Sequence, residues 1–434
     1  MSFLPKTPMN PEYYNLVLPG ITSKTRDTVN KLLKDNHDTH HIFFNDKKFH
    51  NHLTHHLLAA YSFGANEERL EQIYKEHASY QRPLPALLDQ PLTRDNYHEH
   101  LGEANAYTSF LKFFETEIEQ HGMMDTIRRW IWSGDMVARL FGGLYHPLIH
   151  LGYGVEFDVP GLVAEGLALA ACTEAKHSSV ISDSPPLADA ITKVSPISTI
   201  PVQQQNSKDS DKNVLLDILQ AIRQDASFDD TLCKEDEDPF KTLFSQAFVV
   251  DKIKGYANQW KQGKSWTTRQ DIRSRLKELY TTAVVMHGAT GFLPHQVHLD
   301  FVLMHGLTSS YFIHILVPYL SVEEAASLLQ AHWFVTVTFF IVVGRPEVKM
   351  DHLLEYVSPN FKNVDAQLPH RQWSRVLEAT VDESDHVIKA IRACAHAQIM
   401  YNDDPDWFDD ALYLKAAQLT YDLHGKWTFG VGYE

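Results

Sequence analysis

The sequence predicts an all-α fold: a single large helical domain interrupted by one polar insertion. Three observations carry this expectation. Apolar residues recur at i, i+3 and i+4 through most of the 434-residue chain. Long alternating stretches of the strand kind are rare. Hydrophobic residues make up 44% and charged residues 22% of the chain, ordinary values for a globular protein with a sizeable core.

Helical spacing first appears over residues 24–34 and returns over 49–63, where Asn45 and Asp46 offer a polar start to a helix from about Asp46 to Phe63. It continues over 66–79, 106–120 and 125–141. In the stretch 142–157, Pro147 suits a first helical position, because its missing N–H would find no partner there anyway, so a short helix follows His146. Helical patterns then cover 159–175, 213–224, 239–258, 270–288 and 297–317. The segment 322–343 contains the β-branched run VTVTFFIVV, but its neighbours SVEEAASLLQAHW make a helix the expectation. Its longest apolar run, Trp333 to Val343, is shorter than the ~20 residues a membrane span needs. Patterns at 372–378, 385–400 and 407–422 complete the series. Residues 176–212 are rich in Ser, Pro, Asp and Gln and read as a surface loop or disordered insertion. Histidine-bearing helices lie on both sides of it, which favours one domain, 1–434, over two.

Lys and Arg number 39 against 55 Asp and Glu, a formal charge of −16. With no basic patch, this argues against nucleic acid or an anionic membrane as partner. The cysteines, Cys172, Cys233 and Cys394, form no CxxC, so thiolate zinc sites and a disulfide framework are not expected. Cys172 and Cys394 sit in apolar helical text and read as small core residues. The N-terminal stretch shows no apolar leader, so a reducing, cytoplasmic setting is expected.

Histidine is the compositional anomaly, with 25 residues. Four fall within FHNHLTHH at 49–56: His50, His52, His55 and His56. On a helix, His52 and His56 are one turn apart, a spacing that can chelate a metal, while His50 and His55 point elsewhere. Exposed histidines at a helix start are also common and idle. A second group holds His146 and His150 in HPLIHLGYG. A buried histidine there can equally serve only to satisfy a backbone carbonyl. A third places His305 between Met304 and Gly306 in an apolar helix. Glycine in mid-helix costs ~1 kcal/mol, which suggests that something approaches there.

The sharpest anomaly is DHVIKAIRACAHAQIMY at 385–401, apolar on nearly every side yet carrying Lys389 and Arg392. His386, Lys389, Ala393, His396 and Met400 fall within about an 80° arc. A buried ammonium must pair, neutralise or react. A plain salt bridge to a carboxylate is the simplest alternative.

No GxGxxG, Walker A, GxSxG or HExxH is present. Two ExxH matches, Glu174–His177 and Glu383–His386, raise a di-iron bundle, but both lie at helix ends.

Five blocks, HHIFFNDKKFHNHLTHHLLAAYSFGA, HLGEANAYTSFLKFFETEI, HPLIHLGYGVEF, LDFVLMHGLTSSYFI and DHVIKAIRACAHAQ, occur in order between residues 40 and 398. Together they resemble the questin oxidase-like family, whose members open or cleave anthraquinone-type rings in fungal polyketide pathways. The resemblance implies a mononuclear non-haem Fe(II) dioxygenase using O2, its metal held by four histidines and a carboxylated lysine. Lys389 matches the lysine-bearing block, and His56, His150 and His305 match three histidine blocks. His146, His52 and His396 compete for the fourth ligand. An aromatic polyketide is the implied substrate, with Phe43, Phe44, Tyr145, Phe157 and Tyr311 as candidate walls. One alternative is a metal-free Baeyer–Villiger-type monooxygenase using NADPH. Another is a non-enzymatic helical binding protein whose histidines are structural.

Overall fold

The computed structural model describes residues 15–181, 213–362, 369–401, 409 and 411–434. Helices dominate it. They run α1 (Ser23–Thr39), α2 (Leu53–Ser62), α3 (Glu67–Ala78), α4 (Tyr107–His121), α5 (Met123–Ile131), α6 (Met136–Leu140), α7 (Gly142–Glu156), α8 (Pro160–Cys172) and α9 (Ser178–Ile181). There follow α10 (Val214–Gln224), α11 (Pro239–Phe244), α12 (Ala247–Asn258), α13 (Arg269–Ala289), α14 (Phe301–Leu316) and α15 (Val322–Val342). The last are α16 (Met350–Leu354), α17 (Pro369–Thr380), α18 (Asp385–Tyr401) and α19 (Leu412–Asp422). Among the described residues the only sheet is a two-residue parallel pair, β1 (Leu299–Asp300) with β2 (Trp427–Thr428), in register Leu299↔Trp427 and Asp300↔Thr428.

The expected all-α class is observed, with differences at boundaries. The helix expected from about Asp46 starts only at Leu53. Before it, Phe44 and Phe49 close a turn in which Lys48 adopts φ 58° and the Asn45 side chain accepts the Phe49 amide. The turn supplies the polar partners that read as a helix start. The pattern over 125–141 divides into α5 and α6 around Gly134, whose φ of 56° breaks helical geometry. The pattern over 297–317 begins its helix at Phe301, where Asp300 caps the amides of Val302 and Leu303. The segment with the β-branched run is helical throughout, closed at its start by the Ser321–Glu324 capping box. Of the expected polar insertion, 182–212 lie outside the described residues. Its first residues form α9, with Val180 and Ile181 buried.

Helices α7, α8 and α14 form the centre, with α7 packed against both others. α8 crosses α7 closely at Gly166, where a Cβ would stand 2.6 Å from the Leu151 amide nitrogen. α18 closes the centre against α2, α14 and α19. Two stretches are long and apolar enough to cross a membrane, Phe301–Tyr319 and Val322–Val342, yet 94% of each is buried inside the protein, as in core helices. Cys172 and Cys394 are buried and Cys233 exposed, all three as free thiols.

Two buried charge networks tie the central helices together. Arg392 donates to both oxygens of Glu156, to Ser62 Oγ at 2.8 Å and to the Leu16 carbonyl at 3.1 Å, while its guanidinium lies 4.7 Å from the Tyr311 ring centroid. This pairing joins α18, α7, α2 and the N-terminal segment. The second is His37 on α1, held between Glu165 of α8 at 2.7 Å and Glu115 of α4 at 3.0 Å. Burial alone would push the His37 pKa down. Its hydrogen bonds to Glu115 and Glu165 outweigh burial and lift it from 6.5 to about 9.

Because that folded-state pKa is raised, the stabilisation is fully present below pH 6.5 and is lost as pH rises through about 9. Its size is on the order of 3 kcal/mol. Melting temperature measured across this window should fall with rising pH, and the fall should be smaller in His37→Gln. Equal slopes in the two proteins would exclude this contribution.

Gly306 does not mark a close approach. It is buried, yet a Cβ there would meet nothing within 4 Å. Gly306→Ala should therefore stabilise the protein by about 1 kcal/mol through helix propensity alone. A lowered melting temperature would contradict the open space described beside α14.

Candidate metal centre

Four elements bring histidines to one place. The turn ahead of α2 is fixed by a bridge between Phe43 and His50 and by the Asn51 amide donating to the Ile42 carbonyl. It sets His50 outside the helix and makes His52 the residue that precedes its first turn. α7 enters through three left-handed residues, Gly143, Leu144 and Tyr145, with φ of 52°, 56° and 63°. A Cβ on Gly143 would stand 2.8 Å from His50 Cε1, so glycine leaves the His50 ring its place, in a backbone conformation that Leu144 and Tyr145 share. The ring of His50 stacks on that of His146, 3.9 Å apart and 3° from parallel.

This entry decides the tautomer of His146. Its Nδ1–H donates to the Gly143 carbonyl at 2.5 Å, leaving the lone pair on Nε2, which lies 2.7 Å from His52 Nε2. His305 on α14 repeats the arrangement. Its Nδ1–H donates to the Phe301 carbonyl at 2.7 Å, and its buried Nε2 has no hydrogen-bond partner among the described residues. α18 contributes His386, whose Nε2 is likewise buried without a partner. His52, His146 and His386 each offer a nitrogen, and these atoms lie within 4.8 Å of one another. The His305 ring is 4.8 Å from that of His146 and 5.3 Å from that of His386.

Lys389 stands one turn along α18 from Asp385, its side chain 2% exposed. Nζ is 3.5 Å from Asp385 Oδ2, an ion pair too long for a good hydrogen bond, and Nζ has no hydrogen-bond partner among the described residues. The same Oδ2 is 3.0 Å from His386 Nδ1 and 3.8 Å from His52 Nδ1. Burial lowers the Lys389 pKa, opposed by Asp385. Burial also holds His52, His146 and His305 well below the ordinary histidine value; the Lys389 ammonium pushes the same way. Asp385 resists its burial: His386, Lys389 and His52 together keep it ionised.

The centre therefore presents neutral imidazoles, lone pairs inward, beside one carboxylate and one buried amine. Among the described residues the Nε2 atoms of His305 and His386 and the Lys389 amine lack hydrogen-bond partners, as do ring nitrogens of His177, His287 and His314 elsewhere; what sets the centre apart is that His386 also brings a nitrogen within 4.8 Å of those of His52 and His146. Imidazole and carboxylate donors suit a first-row transition metal, and iron fits among them.

Of the residues expected from sequence, His52, His146, His305 and Lys389 come together. Three expected site residues lie apart from them. His56 bonds His77 through Nδ1 at 3.0 Å and the Glu383 carbonyl through Nε2 at 3.1 Å, so both of its ring nitrogens are taken away from the centre. His150 is taken by Glu165 at 2.7 Å and His55 at 3.2 Å, one helical turn deeper than His146. His396 packs among Tyr311, Tyr280 and His314, two turns beyond Lys389. Sequence reasoning did not carry His386 or Asp385 as site residues. The signal was present in the ExxH match and in the arc shared by His386 and Lys389. Of the candidate walls, Phe43 touches His50, with ring centroids 5.5 Å apart. Phe44 packs on Phe49 and Tyr80. Tyr145 stacks on His332, and Tyr311 and Phe157 lie against Arg392.

Comparison with known proteins agrees with the sequence resemblance. The chain is 27% identical to a questin oxidase of Aspergillus terreus over 438 residues, covering 94% of this chain and 91% of that protein. A questin oxidase of Aspergillus fumigatus is also 27% identical, over 94% of this chain and 92% of its own length. A Baeyer-Villiger oxidase of Pestalotiopsis microspora is 26% identical over 88% of this chain and 83% of that protein. The model of one family, described as questin oxidase-like, matches residues 49–394, most of the chain and every residue of the histidine centre. The chain belongs to the questin oxidase-like family.

Proposed function

We propose that this protein is an oxidoreductase that opens or cleaves a ring of an anthraquinone-type polycyclic aromatic ketone, using O2 and a single iron. The observation that carries the proposal is the set of buried, partnerless nitrogens on His305, His386 and Lys389 beside the close His52–His146 pair. The names of the questin oxidase relatives support the substrate class. His52, His146, His305 and His386 would hold the metal, with Lys389 as the source of an anionic ligand. Bound there, ferrous iron supplies one-electron redox chemistry with O2.

The protein's own part is positional. The Gly143 and Phe301 carbonyls hold His146 and His305 in the tautomer that presents Nε2. Burial keeps the imidazoles neutral and so able to ligate. It also favours the neutral amine of Lys389. A neutral amine adds CO2 to give a carbamate with release of one proton, placing negative charge where four neutral imidazoles supply none.

Protein purified without oxygen and loaded with Fe(II) should contain one iron per chain and should take up O2 with an anthraquinone in the absence of NADPH. His146→Ala, His305→Ala and His386→Ala should each bind iron at least about tenfold more weakly. His56→Ala and His150→Ala should keep most of it, and helicity should be unchanged in all five. Full iron occupancy in the first three variants would overturn the site.

Lys389→Ala should lose activity and regain part of it with a short carboxylic acid, and Lys389→Glu should keep part. A carbamate carbon resonance after exposure to 13C-labelled CO2, absent in Lys389→Ala, is the direct measurement. Its absence in the wild type would leave Lys389 as a simple ion pair with Asp385.

A second reading rests on the relatives named Baeyer-Villiger oxidases: a metal-free monooxygenase using NADPH. Full NADPH-dependent turnover after metal removal would favour it.

A further inference from the structure

The C-terminal segment is fastened beside the histidine centre by one buried carboxylate. Asp300, 1% exposed, caps α14 with Oδ1, accepting the Val302 and Leu303 amides at 2.8 and 3.1 Å. Its Oδ2 accepts the amides of Gly430 and Val431 at 2.8 and 3.0 Å. With the β1–β2 pairing on the other side, the backbone around Phe429 is held at both ends. Phe429 nevertheless remains 61% exposed. A singly exposed ring is ordinary by itself; what marks this one is the side chain that it touches.

Phe429 does touch one side chain of consequence. Its ring centroid is 5.0 Å from that of Phe301. Phe301 in turn lies 4.5 Å from the His305 ring and 5.0 Å from the His386 ring, with Trp427 at 6.3 Å. Phe301 is partly buried, and the side chains of His386 and Asp385 keep 14% and 16% exposure, so the centre reaches solvent on this side. A continuous aromatic path therefore runs from the surface at Phe429, through Phe301, to two of the central histidines.

Resting on the functional reading above, we infer that Phe429 and Phe301 form an aromatic lip that captures the flat face of the polycyclic substrate and hands it to the histidine centre. Phe429 acts in capture and Phe301 in orientation, both by offset or edge contacts that a planar ring system can exchange as it moves inward. The occupant follows from continuity with the site: a planar polycyclic ring system meets the two tilted phenyl rings, and then the histidine rings beyond, with aromatic contact at each step.

The test is a binding titration of 1,8-dihydroxyanthraquinone, followed by its visible absorbance, against wild type, Phe429→Ala, Phe429→Trp and the control Phe248→Ala. Phe248 is also half exposed but lies on α12. Phe429→Ala should weaken binding about fivefold with an unchanged melting temperature, as expected for an exposed side chain. Phe429→Trp should restore it, and Phe248→Ala should bind as wild type does. Wild-type affinity in Phe429→Ala overturns the lip alone and leaves the functional reading standing. Failure of the wild type to bind the anthraquinone overturns the substrate class and the lip with it. A changed sedimentation coefficient in Phe429→Ala with unchanged binding would reassign the exposed ring to a contact between copies of the chain, and so would also overturn the proposal.

Discussion

A buried imidazole must either satisfy both ring nitrogens or leave one for a ligand, and the centre of this protein is organised by that constraint. His146 and His305 solve it alike: each gives its Nδ1–H to a backbone carbonyl three or four residues earlier, and each leaves Nε2 facing the other histidines. The left-handed entry into α7 is the structural consequence. It aims the Gly143 carbonyl at His146 and leaves no room for a side chain where the His50 ring passes. The close crossing of α7 and α8 at Gly166 then holds α7 against the core, so the position of His146 is set by backbone packing rather than by a flexible side chain.

The buried charges are sorted by chemistry. Arg392 and Lys389 occupy the same helix less than one turn apart, yet their surroundings differ. Arg392 spreads a planar, permanent charge over Glu156, Ser62 and a carbonyl, and finds an aromatic face as well. That arrangement holds four chain segments in one geometry. Lys389 has a single long contact with Asp385 and a pKa depressed by burial. An ammonium in that position is poorly served as a structural cation and well placed as a latent amine. The Glu165 carboxylate, kept ionised against burial by His150 and His37, plays the structural part on the other side, tying α8 to α7 and α1.

These two roles explain why so many histidines lie near one another without all belonging to one site. His150 and His55 form a layer behind the centre, ending on Glu165. His56 and His77 form a separate pair that reaches Tyr80 through His77 Nδ1. His314 and His396 lie farther along α14 and α18 among tyrosines. Where α7, α14, α18 and the turn before α2 converge, the Nε2 atoms of His305 and His386 and the Lys389 amine lack hydrogen-bond partners among the described residues and lie beside the close His52–His146 pair.

The periodicity of apolar residues determined the helical class and nearly every helix, because burial of one face is written directly in i, i+3, i+4 spacing. It also marked Lys389 as out of place, since a cation on an all-round apolar helix is visible without coordinates. His305 and His150 stood out for the same reason, as polar side chains in apolar text, whereas His56 and His52 were marked by their spacing and His146 only as one competitor for a fourth ligand. Which histidines share a centre was decided by tertiary structure. His52 and His56 look like one chelating pair, and the His56 amide does bond the His52 carbonyl at 2.9 Å, but their rings meet different neighbours, His146 for the one and His77 for the other. His386 and Asp385 looked like an acidic helix start, and joined the histidine cluster only when α18 packed against α2 and α14. Spacing along a chain reports the face a residue occupies within its own helix. It carries no information about which face of another helix will meet it, and a metal-sized cluster is made from that meeting.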